Sequence, residues 1–268
     1  MGRRTLPVWI GLPEERPGWS KEVGQKLVES VTRALRGWGF SPEVVALPQG
    51  HAAGFAALAQ GAEALRKGTA EFCLVGGVEG YLDEEMLDWL DAEGQLFRRG
   101  NPRGFIPGEG AGFCLLASEG MATRLGRPLL GQVLGVGVGH EPKRIKTAMV
   151  CTGEGLSVAF RGALASLPEG MLVDQLIGDL NGEPCRADEV GFTVVRLRKR
   201  LADPPRLLAP STSWGDVGAA SGPLFAGLAV EVARRGAPRG PCSLLWAGSE
   251  GGLRGAAVVF VPGQATTA

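Results

Sequence analysis

Histidine occurs only twice in 268 residues, as His51 and His140, and tyrosine only once. That scarcity leaves little material for histidine-ligated metal sites or histidine-driven acid–base chemistry. Neither sign of charge is in excess, with Lys and Arg totalling 28 and Asp and Glu also 28. A balanced chain lacks a broad positive field, so neither nucleic acid nor a membrane is expected as a partner. No apolar run reaches the roughly 18 residues of a membrane span. The short apolar start is broken by Pro13-Glu14-Glu15-Arg16-Pro17, too early for a signal peptide. The five cysteines (73, 114, 151, 185 and 242) are odd in number and contain no CxxC pair. They read as reduced thiols, not a disulfide framework or zinc site, and the expected location is cytoplasmic. Gly135-Val-Gly-Val-Gly139 leads into His140-Glu-Pro rather than a helix, and no phosphate-binding P-loop occurs. No metal and no cofactor are expected.

What is present is an ordinary globular balance, 44% hydrophobic and 21% charged, with 43 scattered glycines that call for tight turns and close backbone contacts. Strand and helix signals alternate. Strands are predicted at 6–12, 43–47, 72–75, 113–117, 129–138, 146–150, 172–177, 206–209, 243–247 and 255–261. Helices are predicted at 20–37, 51–67, 83–91, 118–125, 156–167, 187–200 and 219–235. The first helix has Ser20 as its N-cap and Val23, Leu27, Val31, Leu35 and Trp38 on one face. Residues 51–67 are apolar nearly all round, so that helix should be enclosed on every side. Such alternation implies an α/β fold of layered sheets. The halves 1–138 and 139–268 have similar make-up and no linker between them, which predicts one compact unit.

Two segments carry a family resemblance. The first runs from His51-Ala-Ala-Gly54 through Gly68 to Gly76-Gly77-Val-Glu79. The second is Gly104-Phe105-Ile-Pro-Gly108-Glu109-Gly110-Ala111-Gly112. Together with Trp214-Gly215-Asp216 through Ala219-Ala220-Ser221, and with Gly251-Gly252 before a final strand, they resemble the β-ketoacyl synthases. The resemblance covers about residues 45–260. It implies a thiolase-like layered αβαβα fold built from two related halves, the first shortened by a strand–helix unit.

The same overlay empties the catalytic positions. His51 stands where the family has its nucleophilic cysteine, and Asn181-Gly182 where it has a His-Gly step. Asp216 replaces a second His or Asn, and Glu250 the aromatic residue of the closing glycine motif. Acyl transfer needs a thiolate and donors aimed at a developing oxyanion; carboxylates at 216 and 250 would repel it. They are instead suited to pair with His51 and raise its pKa. Cys151, in Val150-Cys151-Thr152-Gly153 before a helical pattern, is a rival nucleophile, although it follows the glycine motifs that the family places after its own. Cys73 and Cys114 read as core. Arg196-Leu-Arg-Lys-Arg200 reads as an exposed helix end, and Trp214 as a filler of the former acyl channel.

The resemblance thus implies a catalytically inactive scaffold or accessory subunit, similar to a chain-length factor or a secretion-associated accessory protein. The expected partners are a second copy, a synthase-like protein in a heterodimer, or an assembly for secretion or biosynthesis. Family dimers form through the strand before the nucleophile, here near 43–47. Two alternatives stand beside it: an active acyltransferase or thioester hydrolase using Cys151 or His51, and an acyl- or carrier-binding module without turnover.

Overall fold

Alternating burial along Arg4–Leu12 makes the first strand, β1, whose Leu6, Val8 and Ile10 point into the core. The structure, a computed structural model, describes residues 4–144, 150–236 and 240–262. Helix α1 (Lys21–Gly37) starts at Ser20, whose Oγ accepts from Val23 N at 3.5 Å. Leu27, Val31 and Leu35 lay its apolar stripe on β1. The ends of the expected stripe do not follow: Val23 is 39% exposed and Trp38 75%. Trp38 is already the C-cap, outside helical periodicity, and turns the chain into β2 (Phe40–Pro48).

A short 3-10 turn at Gly50–Ala52 feeds α2 (Ala53–Arg66). Then follow β3 (Phe72–Gly80), α3 (Glu84–Ala92), β4 (Glu109–Ala117) and α4 (Glu119–Leu125). These strands form a sheet in the order β2-β1-β3-β4, parallel except for β4. The second sheet is built from β5 (Gln132–His140), β6 (Val173–Gly178), β7 (Leu201–Leu208), β8 (Cys242–Gly248) and β9 (Leu253–Phe260). Its order is β5-β9-β8-β6-β7. Between its strands run α5 (Glu154–Leu164), α6 (Pro184–Leu197), a short α7 (Ser211–Trp214) and α8 (Ser221–Arg234).

Helices α2 and α8 lie between the sheets. Phe55 and Leu58 of α2 and Phe225 and Ala229 of α8 share one core with Val75 of β3 and Leu245 of β8. Outside, α1 covers the first sheet, while α5 packs through Phe160 and α6 through Val190 on the second. The result is the expected α/β layering, helix–sheet–helix–sheet–helix, with four strands in the first sheet and five in the second among the described residues.

Several sequence expectations shift in detail. The predicted strand at 146–150 lies outside the described residues except for Val150. The glycine-rich segment 104–112 runs into strand β4 from Glu109 onward, with Gly112 opposite Gly77 of β3. Only the first two turns of α2 are enclosed; from Ala62 onward it reaches the surface. Strand β5, which a division at 138/139 would cut, pairs wholly with β9, so the chain changes sheets between α4 and β5. Gly135, Gly137 and Gly139 are strand residues against which α5 lies, a Cβ on Gly137 meeting Ala159 O at 1.9 Å. Arg196 is no idle end charge: its guanidinium donates to the carbonyls of Thr152 and Gly153 ahead of α5. No helix among the described residues is long and apolar enough to cross a membrane.

Close backbone approach explains the Gly-Gly step. A Cβ on Gly77 would fall 2.1 Å from Ala219 O, where the turn before α8 presses on β3. Gly80, on the same strand, has nothing within 4 Å of such a Cβ. Gly77→Ala should therefore lower unfolding stability by about 1–3 kcal/mol, and Gly80→Ala by well under about 1 kcal/mol. Denaturant titration of the two variants checks this, and equal losses would refute the close-approach reading.

Candidate active site

Four loops deliver the site. His51 sits in the 3-10 turn before α2, Asp179 and Asn181 follow β6, Arg186 opens α6, and Asp216 precedes the turn into α8. The glycines that shape these turns place His51, 4% exposed, against Asp216, 3% exposed. His51 Nε2 lies 3.1 Å from Asp216 Oδ1 and Oδ2. Asn181 Nδ2 donates to Asp216 Oδ2 at 2.7 Å and to Glu183 Oε2 at 3.0 Å. Gly218 N completes the carboxylate's shell, donating to Oδ1 at 2.8 Å. His51, Asn181 and Asp216, three of the four residues singled out from the sequence, therefore meet in one hydrogen-bonded group.

Arg186 is the residue that sequence reasoning missed. It lies 4% exposed and binds Asp179, Glu183 Oε2 at 2.9 Å and Gly248 O at 2.8 Å. Its Nη2 also stands 3.3 Å from His51 Nε2. The cluster holds three carboxylates, Asp179, Glu183 and Asp216, against one guanidinium, which favours a second positive charge on the imidazole. Burial pulls the His51 pKa down, but the charge and hydrogen bond of Asp216 outweigh it and the repulsion from Arg186, leaving it raised above the ordinary 6.5. Burial likewise works against an ionised Asp216, yet His51 and Arg186 hold its pKa well below the usual carboxylate range. The shift favours an imidazolium donating from Nε2 to Asp216, and in that state the ring nitrogen has no lone pair with which to act as a nucleophile.

The mouth of the site is also negative. A cavity of about 240 Å³ opens over His51, lined among others by Glu14, Glu15, Glu250 and Arg16. Glu14 Oε1 and Oε2 accept from Gly251 N at 3.1 and 3.3 Å, so a carboxylate of this chain occupies the backbone donor beside the elbow. Ser249 Oγ accepts from Ala52 N at 2.9 Å and ties the closing motif to the same elbow. Behind the cavity, Glu79 of the Gly-Gly-x-Glu segment is buried, accepts from Ala219 N at 3.0 Å and pairs with Arg16.

Cys151 lies elsewhere. Its sulfur groups with carboxylate oxygens of Glu141 and Glu189, all within 4.8 Å of one another. Both acids are engaged: Glu141 Oε2 accepts from Gly155 N at 2.8 Å, and Glu189 Oε1 from Arg254 Nε at 2.6 Å. No spacing in the chain points to this grouping, whose positive charge comes from Arg254. Burial pushes the Cys151 thiol up to about 11 despite its place ahead of α5, the reverse of an activated nucleophile. Burial likewise raises Cys73 and Cys114 to about 11. Trp214 does not line the cavity; it is 39% exposed and leans on Phe225 with ring centroids 6.4 Å apart.

Two measurements follow from the ion pair. The raised His51 pKa gives stability that is complete below the unfolded value near 6.5 and is lost as pH rises through the folded value. The lowered Asp216 pKa gives stability complete above about pH 4 that is lost as pH falls towards the folded value. Wild type should thus be most stable between about pH 4 and 6.5, with a decline above that window which His51→Gln removes; an unchanged decline in the variant would contradict the pair. Arg186→Met, which takes the guanidinium from the buried carboxylates of Asp179 and Glu183, should cost about 3–5 kcal/mol in the same denaturation assay.

Comparison with known proteins agrees with this architecture. Residues 37–122 match the N-terminal domain of the β-ketoacyl synthases. A search of curated proteins finds no match to the sequence. Among solved structures, the ishigamide ketosynthase/chain length factor superposes with a TM-score of 0.80 at 16% identity, covering 98% of this chain and 77% of that one. A type II PKS acyl-carrier protein in complex with its ketosynthase gives 0.77 at 15% identity, over 98% and 79%. An oxazolomycin ketosynthase domain of Streptomyces albus JA3453 gives 0.78 at 17% identity, over 99% of this chain but 56% of that one. These superpositions show that the chain has the layered, thiolase-like fold of the ketosynthases.

Proposed function

We propose that the protein is a non-condensing ketosynthase-like subunit that serves as a scaffold for a synthase-like partner. The observation that supports this reading is the buried His51–Asp216 pair, 3.1 Å apart, at the residues that the sequence overlay aligns with the nucleophilic cysteine and the second His or Asn. Condensation would require a thiolate at that elbow and neutral donors facing an oxyanion. The elbow instead holds an imidazole engaged with a buried carboxylate, and Glu14 on the neighbouring amide adds a second repulsive charge.

The pairing surface in this reading is β2. It is an edge strand, bonded only to β1 among the described strands, and its side chains alternate between half-buried and exposed. An uncovered edge of this kind is a template for a strand of another chain. Structural neighbours include a ketosynthase/chain length factor, which supports a heterodimer with a synthase-like protein. All five cysteines are free thiols, which suits a reducing, cytoplasmic setting.

The acyl-transfer reading is separated from this one by intact-mass spectrometry after incubation with an acetyl thioester. No adduct is expected on wild type, and a stoichiometric acyl adduct at Cys151 or His51 would overturn the proposal. Native mass spectrometry from the source cell should give a two-chain assembly, and a stable monomer under the same conditions would remove the scaffold role.

A further inference from the structure

The second half of the chain holds a polar group that neither the cleft nor the pairing surface uses. Its members come from four places: Glu141 directly after β5, Cys151 ahead of α5, Glu189 within α6 and Arg254 within β9. The sulfur and one carboxylate oxygen from each acid lie within 4.8 Å of one another. Glu141 and Glu189 are buried, while Cys151 is half-buried, which leaves its sulfur within reach of solvent.

Two observations show the group to be incomplete. The first is charge. Arg254 bonds one acid, through Nε to Glu189 Oε1 at 2.6 Å. The donors to Glu141 are neutral backbone amides, Gly155 N at 2.8 Å and Lys143 N at 3.2 Å. Two carboxylates thus share one guanidinium at a depth where an unmatched charge is costly. The second is an orphaned donor. Arg254 is fully buried, and its Nη1 donates to the carbonyls of Ser249 and Leu253 at 2.8 and 3.0 Å. Its Nη2 has no acceptor among the described residues. Nη2 shares the edge of the guanidinium that carries the Nε–H, so one of its N–H bonds runs parallel to the bond to Glu189 and into the group. A water molecule alone would satisfy that donor and leave the charge unmatched.

We propose that Glu141, Cys151 and Glu189 bind a zinc ion whose fourth ligand is a solvent oxygen accepting from Arg254 Nη2. A divalent ion with two carboxylates, one thiolate and one guanidinium sums to zero charge, and the bound oxygen supplies the missing acceptor. Binding forms metal–sulfur and metal–oxygen bonds and sends the Cys151 thiol proton to solvent, with no change of oxidation state. One sulfur among few donors selects zinc over magnesium or calcium, which take oxygen ligands in larger numbers. The acids keep their present bonds, since a carboxylate oxygen that accepts one hydrogen bond retains a second lone pair. With bonds of roughly 2.3 Å to sulfur and 2.0–2.2 Å to oxygen, a tetrahedral ion spaces its donors about 3.5 Å apart, so side-chain movement of about 1 Å closes the group. The donors are far apart along the chain, which is why no metal motif marks them.

Calorimetric titration of the chelator-treated protein with zinc chloride tests the proposal. One equivalent should bind with a Kd of about 1 μM or tighter. Cys151→Ser and Glu141→Gln should each weaken it on the order of 100-fold, whereas Cys114→Ser, in the other sheet, should leave it unchanged. Cobalt in place of zinc should give the wild type a thiolate-to-metal charge-transfer band and the visible spectrum of four-coordination, a readout that needs no variant. Absence of zinc binding up to about 100 μM, undiminished affinity in Cys151→Ser, or a cobalt spectrum without the thiolate band would each overturn the site. The acyl-adduct and native-mass measurements are independent of these results, so the two proposals fail separately.

Discussion

A buried imidazole facing a buried carboxylate is the constraint on which this molecule turns. Two such groups removed from water are costly unless each satisfies the other, and an isolated one would be more costly still. Here the pair is set inside a wider lattice of Arg186, Asp179, Glu183 and Asn181, drawn from the loop after β6 and the start of α6. The lattice also reaches Gly248 through both Arg186 and Asp179. Breaking the His51–Asp216 contact would disturb loops from both sheets together. The pair and its lattice therefore fasten loops of the two sheets at their shared cleft.

The glycines and the charges have divided roles in this arrangement. Gly54, Gly77 and Gly222 let α2, β3 and α8 approach to backbone distance, a demand set by the fold and independent of any reaction. The polar residues at 51, 181, 216 and 250 stand where such a backbone presents side chains to a cleft. A fold can hold the first set while the second changes character, because close packing constrains volume whereas the cleft constrains only charge balance. In this chain the balance is met by opposite charges pairing internally, as Arg16 and Glu79 do beside the same cleft.

Much of this was legible in the sequence. The apolar run 6–12 and the Ser20 cap marked β1 and α1, the alternation of strand and helix signals marked the layering, and the ordered glycine motifs pointed to the meeting of His51, Asn181 and Asp216. The rest was hidden for physical reasons. Arg186 sits in a helix whose buried face is itself largely polar, with Glu189 and Thr193, while Phe192 and Val195 are exposed, so apolar periodicity does not mark it as inward. Glu14 and Arg16 lie in a proline-bracketed loop that has no periodicity to read, yet it folds over the elbow and supplies two of the cleft's charges. Trp38 looked like part of an apolar stripe because it continues the helical spacing one step past the helix end. Local pattern carries packing faces well; it carries poorly which charges a loop will bring from afar.

The most direct test of the account is the protonation state of His51, read by nitrogen-15 NMR of the imidazole across a pH titration. Both ring nitrogens should carry protons at neutral pH, with the titration midpoint above 6.5, and Asp216→Asn should bring that midpoint down. A neutral ring at pH 7 in the wild type, titrating below 6.5, would contradict the ion pair and return a free imidazole to the elbow.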